Sequence, residues 1–212
     1  MLGQLPTKLD IGGVSCDINP DFRNVLQIID ALNDTALSDG EKTFILLRRL
    51  YPRFDTLPRD RYADAVQAAF SFIECGKSGD KKKRAPKVVD WGKDEQLIFA
   101  AVNKVAGREV RTEPFLHWWT FLGYYQSIDR EDLFSFIVSI RQKKARHKKL
   151  EKHETEFYNA NREMCDIAPV VDRKKEAEDY MAALYAELTA EAEVEAGAKT
   201  KAETKGGGND GE

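Results

Sequence analysis

The side chains most able to do chemistry are few and badly spaced for it. The histidines are His117, His147 and His153, and the cysteines are Cys16, Cys75 and Cys165. His147 and His153 are six residues apart, on different faces of a helix, and no cysteine lies near them, so zinc-ligand spacing is absent. The cysteines are odd in number and far apart, which gives no disulfide framework. His147 and Glu151 could share a metal, but on a lysine-rich helix an i,i+4 pairing is the plainer reading. A nucleophile needs a base and an orienting group, and no G-x-S-x-G occurs. Gly12-Gly13 and Gly206-Gly207-Gly208 do not open helices, and no phosphate-binding loop motif exists. His117 lies in an aromatic segment and reads as a satisfied core histidine. The expectation is no catalytic residue, no cofactor and no metal.

What remains is binding chemistry. Lys81–Arg84 and Arg141–Lys149 are basic runs of the kind that contact nucleic acid. Neither holds an aromatic residue to stack a single strand, and the sequence pI of about 5.8 argues for a solvated loop and an exposed helix face. Trp118-Trp119 is the most conspicuous local feature. Adjacent helical residues point about 100° apart, so one indole can enter the core while the other reaches a neighbouring helix or a groove, where it would be a strong anchor for a partner. Residues 115–136 hold eight of the 21 aromatic residues, which makes them core or binding surface.

The elements that must position these residues follow from periodicity. Leu9 and Ile11, and Val14, Cys16 and Ile18, alternate on either side of Gly12-Gly13, a β-hairpin with a tight primed turn. Pro20 opens a helix with Phe22, Val25, Leu26, Ile29 and Leu32 at helical spacing. Ser38 and Glu41 form a capping box for a helix that Pro52 stops. Tyr62, Val66, Ala69, Phe70 and Ile73 make a third stripe. A fourth helix starts near Asp90-Trp91 and ends at Gly107. Thr112-Glu113-Pro114 opens an aromatic helix, apolar all round and therefore buried. Asp129 or Arg130 begins a long helix whose buried face is Leu133, Phe136, Ile137 and Ile140. After Arg141 it becomes basic and is expected to leave the globule. Leu150, Phe157, Met164 and Val171 recur every seven residues, a short coiled-coil seam.

Composition agrees with one domain plus appendages. The chain has 212 residues, 33% charged and 42% hydrophobic, with a net charge of −3. The uncharged stretch from Pro114 to Ile128 has 15 residues, short of the roughly 20 a bilayer span needs. The first residues carry no basic region followed by an apolar core, so no signal peptide is expected. The working assignment is residues 1–76 as hairpin plus three helices, 77–89 as a basic flexible linker, 90–141 as an aromatic-rich core of the same globular domain, 142–196 as extended charged helices and 197–212 as a disordered tail.

Several stretches resemble the bacteriophage gene-product-fifteen family, small proteins encoded in the tail modules of long-tailed phages of Gram-positive bacteria. They are Leu5-Pro6, Ile11-Gly12-Gly13, Ile18 to Arg23, Glu41-Lys42, Tyr51-Pro52, Phe72 to Gly76, Asp90 and Asp94, Leu116 to Phe121, and Ile140-Arg141. The likeness covers residues 5–165, and its most specific piece is the His117-Trp118-Trp119 core. It implies a tail assembly chaperone that coats the helical tape-measure protein and recruits tail tube subunits in the host cytoplasm. It implies no catalytic residue.

Together these readings give a mainly α protein: a helical domain with an N-terminal β-hairpin, a protruding charged helix and a disordered C-terminal tail. The expected function is non-enzymatic tail assembly. A structural virion component and a nucleic-acid-binding protein are the alternatives. The expected partner-binding residues are Phe115, Trp118, Trp119, Tyr124 and Tyr125 as the wall of an apolar groove, with Leu150, Phe157 and Met164 as a seam for a partner helix or for self-association through 150–171. Nucleic acid and membrane are not expected partners.

Overall fold

A computed structural model describes residues 3–76 and 86–167. The 77–85 part of the basic linker, Val171 of the heptad seam, the helix expected over 172–196 and the tail over 197–212 lie outside the described residues.

The hairpin is present as β1 (Lys8–Ile11) and β2 (Val14–Asp17), paired antiparallel with Ile11 opposite Val14. Gly12 and Gly13 both take positive φ, 57° and 89°, as a two-residue primed turn demands. A Cβ at Gly12 would also collide with the Arg61 guanidinium. Gly12→Val is therefore expected to lower stability by about 1–3 kcal/mol, read by denaturant unfolding; Gly13→Ala, which meets open space, should cost less.

The remaining described elements are helical. They are α1 (Phe22–Asn33), α2 (Asp39–Leu50), α3 (Tyr62–Ile73), α4 (Glu95–Ala106), α5 (Trp118–Gln126), α6 (Leu133–Ala145), α7 (Lys152–Ala160) and the single turn α8 (Arg162–Cys165). Local chemistry explains most ends. Asp21 caps α1 through the Arg23 amide, so Pro20 sits before the cap and not inside the helix. Ser38 and Glu41 make both halves of the capping box on α2. Gly107 closes α4 in the left-handed conformation.

Two expectations change. The aromatic helix does not start at Pro114. Residues 115–117 run extended beside the entry to α1, where Phe22 N donates to Leu116 O at 3.0 Å and Trp118 N to Pro20 O at 2.8 Å. His117 then caps α5 by accepting from the Trp119 amide. A non-local backbone pairing has outcompeted helix propensity, and α5 buries only Trp118 and Phe121 on one side.

The helix after Arg141 does not protrude. It stops at Ala145. His147 takes a left-handed φ of 53°, and Lys148 N bonds back to Lys143 O at 2.8 Å. The chain reverses, and α7 and α8 lie against α6. Leu150, Phe157 and Cys165 pack on Ile137 and Ile140, so the first two seam residues are used inside the chain.

Most buried residues form one core, drawn from β1, α1 to α5 and Phe134 of α6. Its centre is aromatic: Phe22 stacks on Phe121 at 4.6 Å, and Phe99 meets both rings. The described residues belong to the compact unit Met1–Pro169. Among them no helix is long and apolar enough to cross a membrane.

Candidate partner-binding cleft

The first apolar face of α1 goes to the core: Phe22, Val25 and Ile28 are fully buried. Leu26 and Ile29 add a second, half-buried stripe. That extra width leaves an apolar strip at Leu26 that the described helices only partly cover. It forms one wall of a cleft of about 430 Å³, made by Phe22, Arg23, Leu26, Gln27 and Asp30 of α1. The facing wall is Trp91, Gly92, Glu95, Ile98 and Phe99, and Arg111 closes one side. Arg23, Leu26 or Gln27, and Asp30 follow one row of α1, so this wall is about 10 Å long.

The rim carries both signs of charge. Arg23 holds Asp21 through Nη1 at 3.0 and 3.2 Å, and its Nη2 donates to the Arg111 carbonyl at 3.1 Å and to the Glu113 carbonyl. Its guanidinium lies 4.6 Å from the Phe22 ring centroid. Arg111 lies 5.0 Å from that of Phe99 and grips Glu109 with Nε and Nη2 at 2.8 and 2.9 Å. Those bonds and the Arg111 amide hold the Glu109 carboxyl down to about 2. Both cations are thus oriented by their own partners and by an aromatic face beneath them. Asp30 and Glu95 supply the opposite sign. An apolar floor with a mixed-charge rim suits the apolar face of an amphipathic helix.

The Trp91 lip is held from behind. Trp91 packs on Tyr125, which meets Phe134. The turn bearing it is closed by Asp90 N donating to Asp94 Oδ2 at 2.9 Å. Asp94 in turn faces Arg141 in a bidentate pair at 2.6 and 2.8 Å, with the two side chains only 2% and 4% exposed. Arg141 also donates to the carbonyls of Val88, Met164 and Cys165 at 3.1, 2.7 and 2.9 Å. All its donors are used, and α6, the start of α4, the 86–90 segment and α8 are tied at one point. Within the stretch expected to be linker, the Val88 carbonyl is thereby held.

A second, more exposed set of contacts latches α7 and α8. Lys143 meets Glu154 at 2.6 Å, Lys144 meets Asp166 at 2.7 Å, and Tyr158 donates to Asp166. The bond from Lys143 lowers the Glu154 carboxyl below its ordinary value, and the bond from Lys144 does the same for Asp166. Groups with depressed values stabilise the fold above their unfolded pKa and lose that contribution as pH falls through the folded one. Amide exchange over 150–167 is therefore expected to accelerate as pH drops below about 4, after correction for intrinsic rates, before the α1–α5 core opens.

The residues expected to bind a partner are dispersed. Phe115 is exposed at 54%, while Trp118 is 2% exposed, in the core. Its indole donates to Ile73 O at 2.9 Å, and the half-buried Trp119 donates to Phe72 O at 2.8 Å. Tyr124 and Tyr125 pack against the core, and Leu150 and Phe157 against α6. Met164 is exposed beside its hydrogen-bonded carbonyl. None of the eight lines the cleft. His117 is buried, with Nδ1 accepting from Trp119 N at 3.1 Å and Nε2 2.9 Å from Pro6 O, an arrangement that suits a neutral ring protonated at Nε2. The basic run is partly consumed inside: Arg141, Lys143 and Lys144 are engaged as above. Among the described residues no group of three or more His, Cys, Asp or Glu could hold a metal.

The signal for the cleft was present in α1, whose apolar residues cover more than one face. Comparison with known proteins adds one finding. Residues 1–167 match the family model described as Bacteriophage Gp15 protein. No curated protein and no solved structure matches.

Proposed function

This chain belongs to the bacteriophage Gp15 protein family, and on that premise we propose that it is a non-enzymatic tail assembly chaperone. Family membership makes it a phage structural or morphogenesis protein. In the proposed role it acts in the host cytoplasm during assembly. It binds helical segments of the tape-measure protein and helps to bring tail tube subunits to them.

The observation that carries this reading is the cleft between α1 and the Trp91–Phe99 segment. A tape-measure chain that is not yet enclosed by its tube presents long amphipathic helices to water. Each such helix needs an apolar strip bordered by charge, which is the chemistry of the Leu26, Ile98 and Phe99 floor with Arg23, Arg111, Asp30 and Glu95 around it. Burial in so small a cleft gives moderate affinity, compatible with release when tube subunits polymerise.

Co-expression tests it. The tape-measure protein is expected to stay soluble with this chain and to aggregate without it. Replacing Leu26 by glutamate puts a charge on the floor and should abolish the protection. Equal solubility of the tape-measure protein alone would remove the reading. Mass analysis of purified particles separates the structural alternative, since a chaperone is absent from the finished virion and a tail component is retained.

A further inference from the structure

Among the described residues the outer edge of β2 is an unused strand edge. In the hairpin register Ile11 faces Val14 and Leu9 faces Cys16, and Ile18 N donates to Thr7 O at 3.0 Å. This parity turns the N–H and C=O of Val14, Cys16 and Ile18 toward β1, and those of Ser15 and Asp17 away from it. Among the described residues these four outward groups have no hydrogen-bond partner. Edges of this kind are commonly blunted by proline, lysine, a bulge or a covering element. β2 has none of these residues, and the charge of its Asp17 is already met by Lys8 at 3.2 Å. β1, by contrast, is flanked by α3.

A cleft of about 560 Å³ runs beside this edge. Its near wall is Val14 to Asp17, and its far wall is the 51–61 segment, with Tyr51, Leu57 and Pro58 offering apolar surface. Four charged side chains line it: Asp17, Arg53, Asp60 and Arg61. Asp17 pairs with Lys8, and Asp60 with Arg61, which also meets Asp64. Arg53 is the one without an ion-pair partner among the described residues.

We propose that the β2 edge is a strand-addition site for an extended peptide segment of a partner protein, one that alternates apolar and polar residues and carries a carboxylate toward Arg53. The main chain of the segment would take up the Ser15 and Asp17 groups, and its inward side chains would rest on Leu57 and Pro58. The chain's own 51–61 segment forms the far wall, so an extended segment entering the space meets β2 on one side and this wall on the other. This surface is separate from the α1–α4 cleft and does not depend on the chaperone reading.

The probe is an acetylated, amidated peptide of about six residues alternating valine and glutamate, titrated into isotopically labelled protein. The Ser15 and Asp17 amides are expected to shift, with half-saturation at about 1 mM. The same peptide N-methylated at alternate residues should leave them unmoved, because it cannot donate. A version with lysine for glutamate should bind more weakly, and Arg53→Glu should reverse that preference. Ser15→Pro removes an outward N–H that the hairpin ladder does not use, a position where edge strands tolerate proline, and should abolish binding. Leu26→Glu should leave it intact. Unmoved Ser15 and Asp17 amides, or equal binding of the N-methylated peptide, would overturn the proposal. So would a wild-type dimer that Ser15→Pro converts to a monomer, which would assign the edge to a second copy.

Discussion

Replacing Arg141 by methionine is expected to cost about 3–5 kcal/mol of stability. The change leaves the Asp94 carboxylate buried without its counter-charge and strips donors from the carbonyls of Val88, Met164 and Cys165. Attraction inside such a pair only partly offsets the desolvation of both ions, whereas one ion left alone has no offset at all. For a domain of this size the loss corresponds to a fall in Tm on the order of 10 °C. Arg141→Lys should recover little, since an ammonium cannot hold a carboxylate with two parallel bonds while reaching three carbonyls. The informative control is Arg141→Met combined with Asp94→Leu. Removing both charges should cost less than removing the arginine alone, a non-additivity that calorimetry on the two single variants and the double variant would measure. Additive losses would show that the two residues stabilise the fold independently.

Trp118→Ala should be comparably severe, at about 3–5 kcal/mol. The ring is buried, stacked 5.8 Å from Phe121, and its N–H meets the carbonyl at the end of α3. Truncation opens a cavity between α5 and the end of α3 and removes the donor to the Ile73 oxygen. Trp118→Phe keeps most of the packing and loses chiefly the hydrogen bond, so about 1–2 kcal/mol is expected. Trp119→Ala should fall between, because that ring is half-exposed although it stacks on Phe72. Denaturant midpoints should move in this order at constant m-value, which marks a change in stability and not in the denatured state. The ranking also limits what either tryptophan can say about partners: loss of binding in Trp118→Ala would report unfolding.

How much of this was legible depends on whether a signal is local. The Gly12-Gly13 turn, the Ser38–Glu41 capping box and the Gly107 stop are short-range chemistry, and each element appears where those residues put it. The extended run before α5 is not local. It exists because the Asp21–Phe22 backbone pairs with 116–118, more than ninety residues away in sequence, and Pro114 looks like a helix start only when that strand-like partner is invisible. Arg141 is the most instructive case. Read along the chain it opens a basic run and suggests an exit to solvent. Read on the helix it falls four residues after Ile137 and seven after Phe134, on the buried face, and that position could have flagged an internal charge. Its partner Asp94 shares the family resemblance with it, yet only the fold brings the two together. The proposed cleft lies away from the expected aromatic groove for a related reason. Aromatic density in 115–136 marks where the core is, whereas an available apolar surface is what remains after helices pack. In α1 that remainder is the Leu26 stripe, visible as apolar residues wider than one buried face requires.

The proposed occupants of the cleft between α1 and the Trp91–Phe99 segment are amphipathic helices of the tape-measure protein. Titration calorimetry with helical segments of that protein measures this occupancy. The wild-type chain should bind at least one segment. Leu26→Glu should weaken that binding at least tenfold, about 1.4 kcal/mol. Leu133→Glu, at an exposed apolar residue outside the cleft, should leave it unchanged. Equal affinity of the Leu26→Glu variant and the wild type, with both folded, would show that the helices bind elsewhere.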